Sequence, residues 1–352
     1  MAIVYSKSSG LNNAQIGKLE TPIKMVIEHE SDMQTKRGGI KDWLFNVEKS
    51  KKFAETIVGQ NEFDVFSAAE EGAGAENDSL EETYKKYVEH IQFMKEFTIT
   101  AQMMEDANYG VAADAKRRAE NFTRAYYKTM HKICEYALAN GDKKQGIFAK
   151  AKLDLTAPDG QALFSSSHKW GGKKSNGTQS NYFYGDIFGT GTEGRTLSTG
   201  AFEEALGELA NKIRNMKDEN GEVLGYTADT LILPGNTPTA EAIAKKVCGS
   251  DGALGNGYND INLQYGNWNI VIMPDWQVTD NRVIVMSSEA NKNLAGNMFF
   301  NRVPLTISNW VDNHTGNYIW NGRCRFGVGF GSYKHILLAV DSATSVSGAT
   351  KL

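Results

Sequence analysis

Cysteine, proline and histidine are scarce in this chain of 352 residues, at three, six and six. Cys134, Cys248 and Cys324 lie far apart, odd in number and without a CxxC pair, which argues against a disulfide framework or a zinc knuckle and fits a reducing cytoplasm. His29, His90, His131, His314 and His335 show no HExxH and no i, i+4 pairing, and His131 near Cys134 has no companion ligands, so no metal site is indicated. A basic excess is missing as well. Lys plus Arg total 38 against 42 acidic residues, a net charge of -4, which gives no reason to expect a dedicated nucleic-acid binder and points to weak or local contact with DNA at most. Nowhere do eighteen apolar residues run together, and MAIVYSKSSGLNNAQ has no apolar core followed by a cleavage site, so neither a membrane span nor a secretory signal is expected.

Apolar material is ample, 41% of residues, enough for one or two cores. Residues 1–40 mix polar, glycine and isolated apolar positions, too aperiodic for a core and too apolar for a free tail, and read as an extended arm lying on another surface. A long β-hairpin follows at about 58–100. Its arms hold Phe63, Val65 and Phe66 on one side and TYKKYVEHIQFMKEFTIT on the other, around the acidic, glycine-containing loop AAEEGAGAENDSLEE. Two strands alone are marginal in water, so such a hairpin needs a surface outside itself.

From about Gly110 the pattern becomes helical, with Ala115, Ala119, Phe122, Tyr126, Ile133 and Ala137 on one face and a stop at Asn140-Gly141. At ~1.5 Å per residue, a helix of about thirty residues spans roughly 45 Å. Residues 146–200 are rich in Gly, Ser, Asn and Thr and read as irregular structure with short strands. An α/β alternation comes next: a helix with Phe202, Leu206, Leu209, Ile213 and Met216 on one face, strand DTLILPG, helix TPTAEAIAKKV, and strands NIVIMPD and NRVIVMSS. The last fifty residues are β-like again.

This order, together with FDVFSAAEEGAGAENDSLEETYKKYVEHIQFMKEFTITAQMMEDANYG, DGQALFSSSH, LSTGAFEEALGELANKIRNMKDENGEVLGYTADTLILPG and WNIVIMPDW, resembles the Hong Kong 97-type major capsid proteins of tailed bacteriophages over most of the chain. The resemblance implies an α+β fold. Its parts would be an N-terminal arm (1–40), an arm-proximal segment with the extended loop (41–100), and a peripheral domain with a spine helix (101–197). An axial domain (198–296), peripheral return strands (297–330) and a C-terminal strand and tail rejoining the axial domain (331–352) would complete it. The implied function is structural: self-assembly into an icosahedral shell enclosing double-stranded phage DNA, with no catalysis and no cofactor. Implied partners are further copies in hexamers and pentamers, a portal protein, a scaffold, a decoration protein, and packaged DNA held non-specifically, with no membrane. The place is the virion, assembled in the host cytoplasm. An encapsulin-type nanocompartment shell shares the fold, but such shells tend to be shorter and to begin with a docking helix, whereas this chain begins arm-like. A ligand-binding protein or enzyme is the remaining alternative, raised only by the Gly, Ser, Asn and Trp-rich tracts.

Within that frame, Glu70, Glu71, Glu76 and Asp78 of the loop tip are candidate intersubunit contacts for Arg117, Arg118 and Arg124 of the spine helix. Exposed ion pairs contribute about 0–1 kcal/mol each, so only many copies would make them matter. Some members of the family crosslink a hairpin lysine to an asparagine of another subunit, for which Lys85, Lys86 or Lys95 would be the donors; the resemblance assigns neither the partner nor the accepting carboxylate.

Enzyme motifs are weak. Gly189, Gly191 and Gly194 match GxGxxG, but RTLSTG separates them from the following helix and a weak strand precedes them. Ser165, Ser166 and Ser167 stand beside His168 without the GxSxG turn of a hydrolase. Neighbouring carboxylates such as Glu81-Glu82 and Glu203-Glu204 do not converge as a glycosidase pair must.

Overall fold

The computed structural model describes residues 4–5, 14–60, 68, 82–102, 111–170, 177–189, 198–249 and 262–352. The chain opens with β1 (Val4–Tyr5), α1 (Ala14–Arg37), α2 (Ile40–Leu44) and β2 (Asn46–Lys49), followed by β3 (Ala54–Gln60), β4 (Glu82–Glu89) and β5 (Ile91–Ile99). Helix α3 (Val111–Ala139) leads to β6 (Gln145–Phe148), β7 (Ala151–Asp154), β8 (His168–Lys169), β9 (Thr178–Gln179) and β10 (Tyr182–Gly185). Then come α4 (Thr199–Arg214), β11 (Thr230–Pro234), α5 (Pro238–Gly249), β12 (Asn269–Met273), β13 (Arg282–Met286) and α6 (Ser288–Asn293). The strands β14 (Asn297–Val311), β15 (Tyr318–Phe330), β16 (Ile336–Asp341) and β17 (Thr350–Lys351) close it.

Two sheets organise the molecule. The first has the order β1-β14-β15-β5, with β2 parallel to β14. The second has the order β12-β11-β13-β16-β10-β17 and mixes parallel with antiparallel pairs. Alternation decides its packing: Leu231, Leu233, Val283, Val285, Leu337 and Ala339 face α4 and α5, while Ile232, Ile284, Met286, Ile336 and Leu338 face the other way, into the core shared with α3 and the first sheet. Burial on both faces is why TLILP and RVIVM read as continuous apolar runs. Ser198 caps α4 by accepting from the Ala201 amide, and Phe202 stacks on Phe188 with centroids 4.7 Å apart, which fixes the helix on the sheet.

The segment read as an extended arm is, over Ala14–Arg37, a helix. It lies along α3, burying Ile23 and Ile27, and its polar residues on that side are satisfied: Ser31 Oγ sits 2.7 Å from Tyr127 Oη, and Glu30 accepts from Arg124 at 2.8 Å. Polar groups on the buried side and exposed Met25 and Met33 on the other blur the helical period, which is why the sequence looked aperiodic. The long hairpin also divides differently. β3 and β4 pair antiparallel from Ala54↔Glu89 to Gln60↔Glu82, whereas β5 leaves them to pair with β15, Ile91 opposite Phe326 and Ile99 opposite Tyr318. Phe63, Val65 and Phe66 of the connecting loop lie outside the described residues.

Helix α3 buries Ala115, Ala119, Phe122, Tyr126, Met130, Ile133, Cys134 and Ala137, a stripe at three- and four-residue spacing. It ends where Asn140 and Gly141 donate their amides to Tyr136 and Leu138. A Cβ at Gly322 would stand 2.2 Å from the Phe122 ring, so β15 passes this close to the helix only because that position has no side chain.

Candidate intersubunit surfaces

The β3–β4 hairpin is anchored at its base. Lys86, nearly buried, donates to Asp154 and to Thr156 Oγ1, and Tyr84 Oη donates to the Gly331 carbonyl at 2.9 Å. Burial raises the Tyr84 hydroxyl well above its usual range, so it stays a donor. Lys86 is thereby engaged in its own chain, while Lys85 and Lys95 are exposed. Between the hairpin base and β7 runs a cleft of about 470 Å³, lined by Lys86, Val88, His90, Lys152, Asp154 and Val328 among others. His90 places Nε2 2.9 Å from Ser50 Oγ, and burial, with Arg325 nearby, keeps the ring neutral by lowering its pKa.

Of the candidate contact residues, Glu70, Glu71, Glu76 and Asp78 lie outside the described residues. The three arginines are placed, and each has an acceptor in its own chain. Arg117 donates to Asp114 at 2.9 Å; Arg118 donates to Asp114 at 2.8 Å and to the Thr98 carbonyl at 2.8 Å; Arg124 donates to Glu30. The Arg118 and Arg117 hydrogen bonds hold the Asp114 carboxyl below the usual range, and the Arg124 hydrogen bond does the same for Glu30. Glu30 is ninety-four residues from Arg124, so nothing local in the sequence announced the pair.

The β6–β7 hairpin was not singled out from the sequence. Phe148 pairs with Ala151, leaving Ala149 and Lys150 as a two-residue turn with φ of 46° and 71°. Such turns favour Asn-Gly, and each non-glycine residue in the left-handed region costs about 1–2 kcal/mol. Four exposed lysines, Lys143, Lys144, Lys150 and Lys152, surround it, and Ile147 at its side is 66% exposed. The only early signal was KKQGIFAKAK itself, a basic run around a short apolar pair.

The polar groups once weighed as catalytic have structural duties. His168 is buried, with Nδ1 2.8 Å from Asp159 and Nε2 donating to the Leu163 carbonyl at 3.1 Å, so neither nitrogen is directed at a serine hydroxyl. Ser165 and Ser167 instead face each other at 3.3 Å. Gly189 has φ of 79° and packs on Ser198; Gly191 and Gly194 lie outside the described residues. Among the described residues no three His, Cys, Asp or Glu side chains converge as metal ligands, and no helix is long and apolar enough to cross a membrane.

Two sheets are joined by a long helix, and the β3–β4 hairpin is tied to the body of the molecule through Lys86 and Tyr84. The family described as phage capsid protein matches residues 91–339, from β5 through α3 and both sheets to β16. Among solved structures, the chain is similar to the capsid of the cyanophage P-SCSP1u, with a TM-score of 0.50 and 10% identity, covering 86% of this chain and 88% of that one. It is also similar to the capsid of the Myoviridae phage XM1, at 0.48 and 14% over 86% and 92%, and to the capsid of a native GTA particle, at 0.49 and 13% over 86% and 89%. No curated protein matches the chain. The chain belongs to the phage capsid protein family. It is a structural major capsid protein with a Hong Kong 97-like fold, and the virion is where it acts.

Proposed function

We propose that copies of this chain form hexamers and pentamers that close into an icosahedral shell around double-stranded phage DNA, assembled in the cytoplasm of a bacterial host. The observation that carries this reading is the family match over residues 91–339, which spans both sheets and the helix between them. In it, the sheet of β14, β15 and β5 with α3 acts as the peripheral domain and the sheet of β11, β13 and β16 with α4 and α5 as the axial domain. The β3–β4 hairpin and the loop carrying Glu70, Glu71, Glu76 and Asp78 reach a neighbouring copy. A two-stranded ladder with Tyr87 exposed at 62%, and Phe53 just before it exposed at 70%, supports this, because such surface is stable in water when another subunit covers it. A portal protein, a scaffold and a decoration protein complete the particle, and DNA is held without sequence preference.

The N-terminus does not separate a phage head from a nanocompartment shell, since α1 is itself a helix. The family description favours the head. Sedimentation and negative-stain electron microscopy of the full chain, alone and with its scaffold, test the proposal. Closed shells or rings of five and six are expected, and packaged nucleic acid in place of an enzyme cargo. A monodisperse monomer under both conditions overturns it.

A further inference from the structure

Four lysines crowd the β6–β7 hairpin, and between Lys143 and Leu153 the chain has no acidic residue. Lys143 donates to Asn140 Oδ1 at 3.0 Å, but no carboxylate of the described residues lies within ion-pair distance of Lys144, Lys150 or Lys152. The arginines of α3 differ in this respect, each being committed to an acceptor in its own chain. The hairpin is also firmly seated. Tyr136 Oη accepts from the Ile147 amide at 3.0 Å, and the Phe148 ring packs 5.6 Å from Tyr136 and 6.3 Å from Phe93, which leaves Ile147 turned outward. A lysine occupies the second left-handed position of the turn, where glycine fits best, so a charge is kept at the tip against the conformational preference.

The complementary charge lies in the same chain. From Asn61 to Tyr84 there is no lysine or arginine, while Glu62, Asp64, Glu70, Glu71, Glu76 and Asp78 supply carboxylates. We propose that the β6–β7 hairpin is the docking surface for the acidic 61–82 segment of a second copy of this chain, with Lys144, Lys150 and Lys152 facing its carboxylates and Ile147 covered by the contact. This rests on the shell reading, which supplies the second copy. Each pair is weak, and the contact acts through its repetition in every copy of the shell, partly desolvated around Ile147.

The test uses the full chain. Unlabelled and nitrogen-15-labelled protein are mixed before assembly, the particles are treated with a carbodiimide, and linked peptides are read by mass spectrometry. Links joining Lys144, Lys150 or Lys152 to Glu70, Glu71, Glu76 or Asp78 in mixed-isotope pairs are expected. In parallel, the triple variant Lys144→Glu, Lys150→Glu, Lys152→Glu should keep the wild-type melting temperature and lose sedimentable particles by on the order of tenfold. Adding Glu70→Lys, Glu71→Lys, Glu76→Lys and Asp78→Lys to it should restore them. Wild-type particles whose links are absent or confined to same-isotope pairs overturn the contact and leave the shell reading intact, whether or not the triple variant folds. A folded triple variant that assembles like wild type does the same. If the wild-type chain forms no particles, the shell reading and the contact fall together.

Discussion

The imidazole of His168 lies flat on the ring of Tyr333, with centroids 3.8 Å apart and planes 5° from parallel. This stack joins β8 to the turn between β15 and β16, and Tyr333 Oη extends the tie by donating to the Lys169 carbonyl at 3.2 Å. Asp159 completes it, accepting from His168 and from the amides of Gln161 and Lys169.

Burial alone would raise the Asp159 carboxyl, but the His168 hydrogen bond and the two amides outweigh it and hold the group below the usual range. A depressed carboxylate contributes stability above its unfolded pKa of about 3.9 and loses it as pH falls through the lower folded value. Asp159→Asn replaces the carboxylate that accepts from His168 and two amides by a neutral group and should destabilise by about 1.5–3 kcal/mol at neutral pH. Urea unfolding at pH 7 and again below pH 4 checks both statements: the difference from wild type should shrink in acid, and an equal difference at both pH values would contradict it.

His335 behaves in the opposite sense. It is fully buried, Nε2 donates to Asn297 Oδ1 at 3.0 Å, and Nδ1 has no partner among the described protein atoms. Burial pushes its pKa down to about 3, so between about pH 6.5 and that value the unfolded chain takes up a proton that the native chain refuses. Stability should fall with pH across this window by up to about 1.4 kcal/mol per unit, and His335→Gln should flatten the slope whatever its effect on the midpoint. Unfolding free energy measured at several pH values reads the slope, and an unchanged slope in the variant would assign the acid sensitivity elsewhere.

Lys86 and Asp154 form an unequal pair. The lysine side chain is 8% exposed and the carboxylate 54%. Removing Asp154 strands a buried ammonium, whereas removing Lys86 leaves a carboxylate that water can reach. Asp154→Ala should therefore cost about 3 kcal/mol and Lys86→Met clearly less, near 1 kcal/mol. Thermal melts of the two variants rank them, and the reverse order would show that the hairpin base is held by something other than this ion pair.

Local pattern made the elements of the second sheet and of α3 readable, because Leu231, Ile232 and Leu233 or Ala119, Phe122 and Tyr126 state their period within a few residues. Partnerships were not readable in the same way. β5 declared itself a strand through Ile91, Phe93 and Phe97, yet its partner β15 lies more than two hundred residues on, and adjacency made β4 look like the other arm. Helix α1 hid for a related reason, since what satisfies Ser31 and Glu30 is Tyr127 and Arg124 on another helix. The basic residues of α3 looked available for a neighbour because their acceptors sit in α1, in β5 and one turn away on α3 itself.

The joint between α1 and α3 supplies the last expectation. Tyr127 Oη stands 2.7 Å from Ser31 Oγ and 3.0 Å from Thr35 Oγ1, and one phenol hydrogen with its lone pairs serves both. Ser31 is buried, so Tyr127→Phe removes its partner without opening a cavity, and the stranded hydroxyl costs about 1–3 kcal/mol. Ser31→Ala alone should be milder, because Tyr127 keeps Thr35, and adding Ser31→Ala to Tyr127→Phe should recover part of the loss by removing the orphan. A double-mutant cycle on the full chain measures this coupling. Strict additivity would mean that the Ser31–Tyr127 hydroxyl bridge contributes no coupling between the two helices, leaving Ile23, Ile27 and the Glu30–Arg124 pair to hold them.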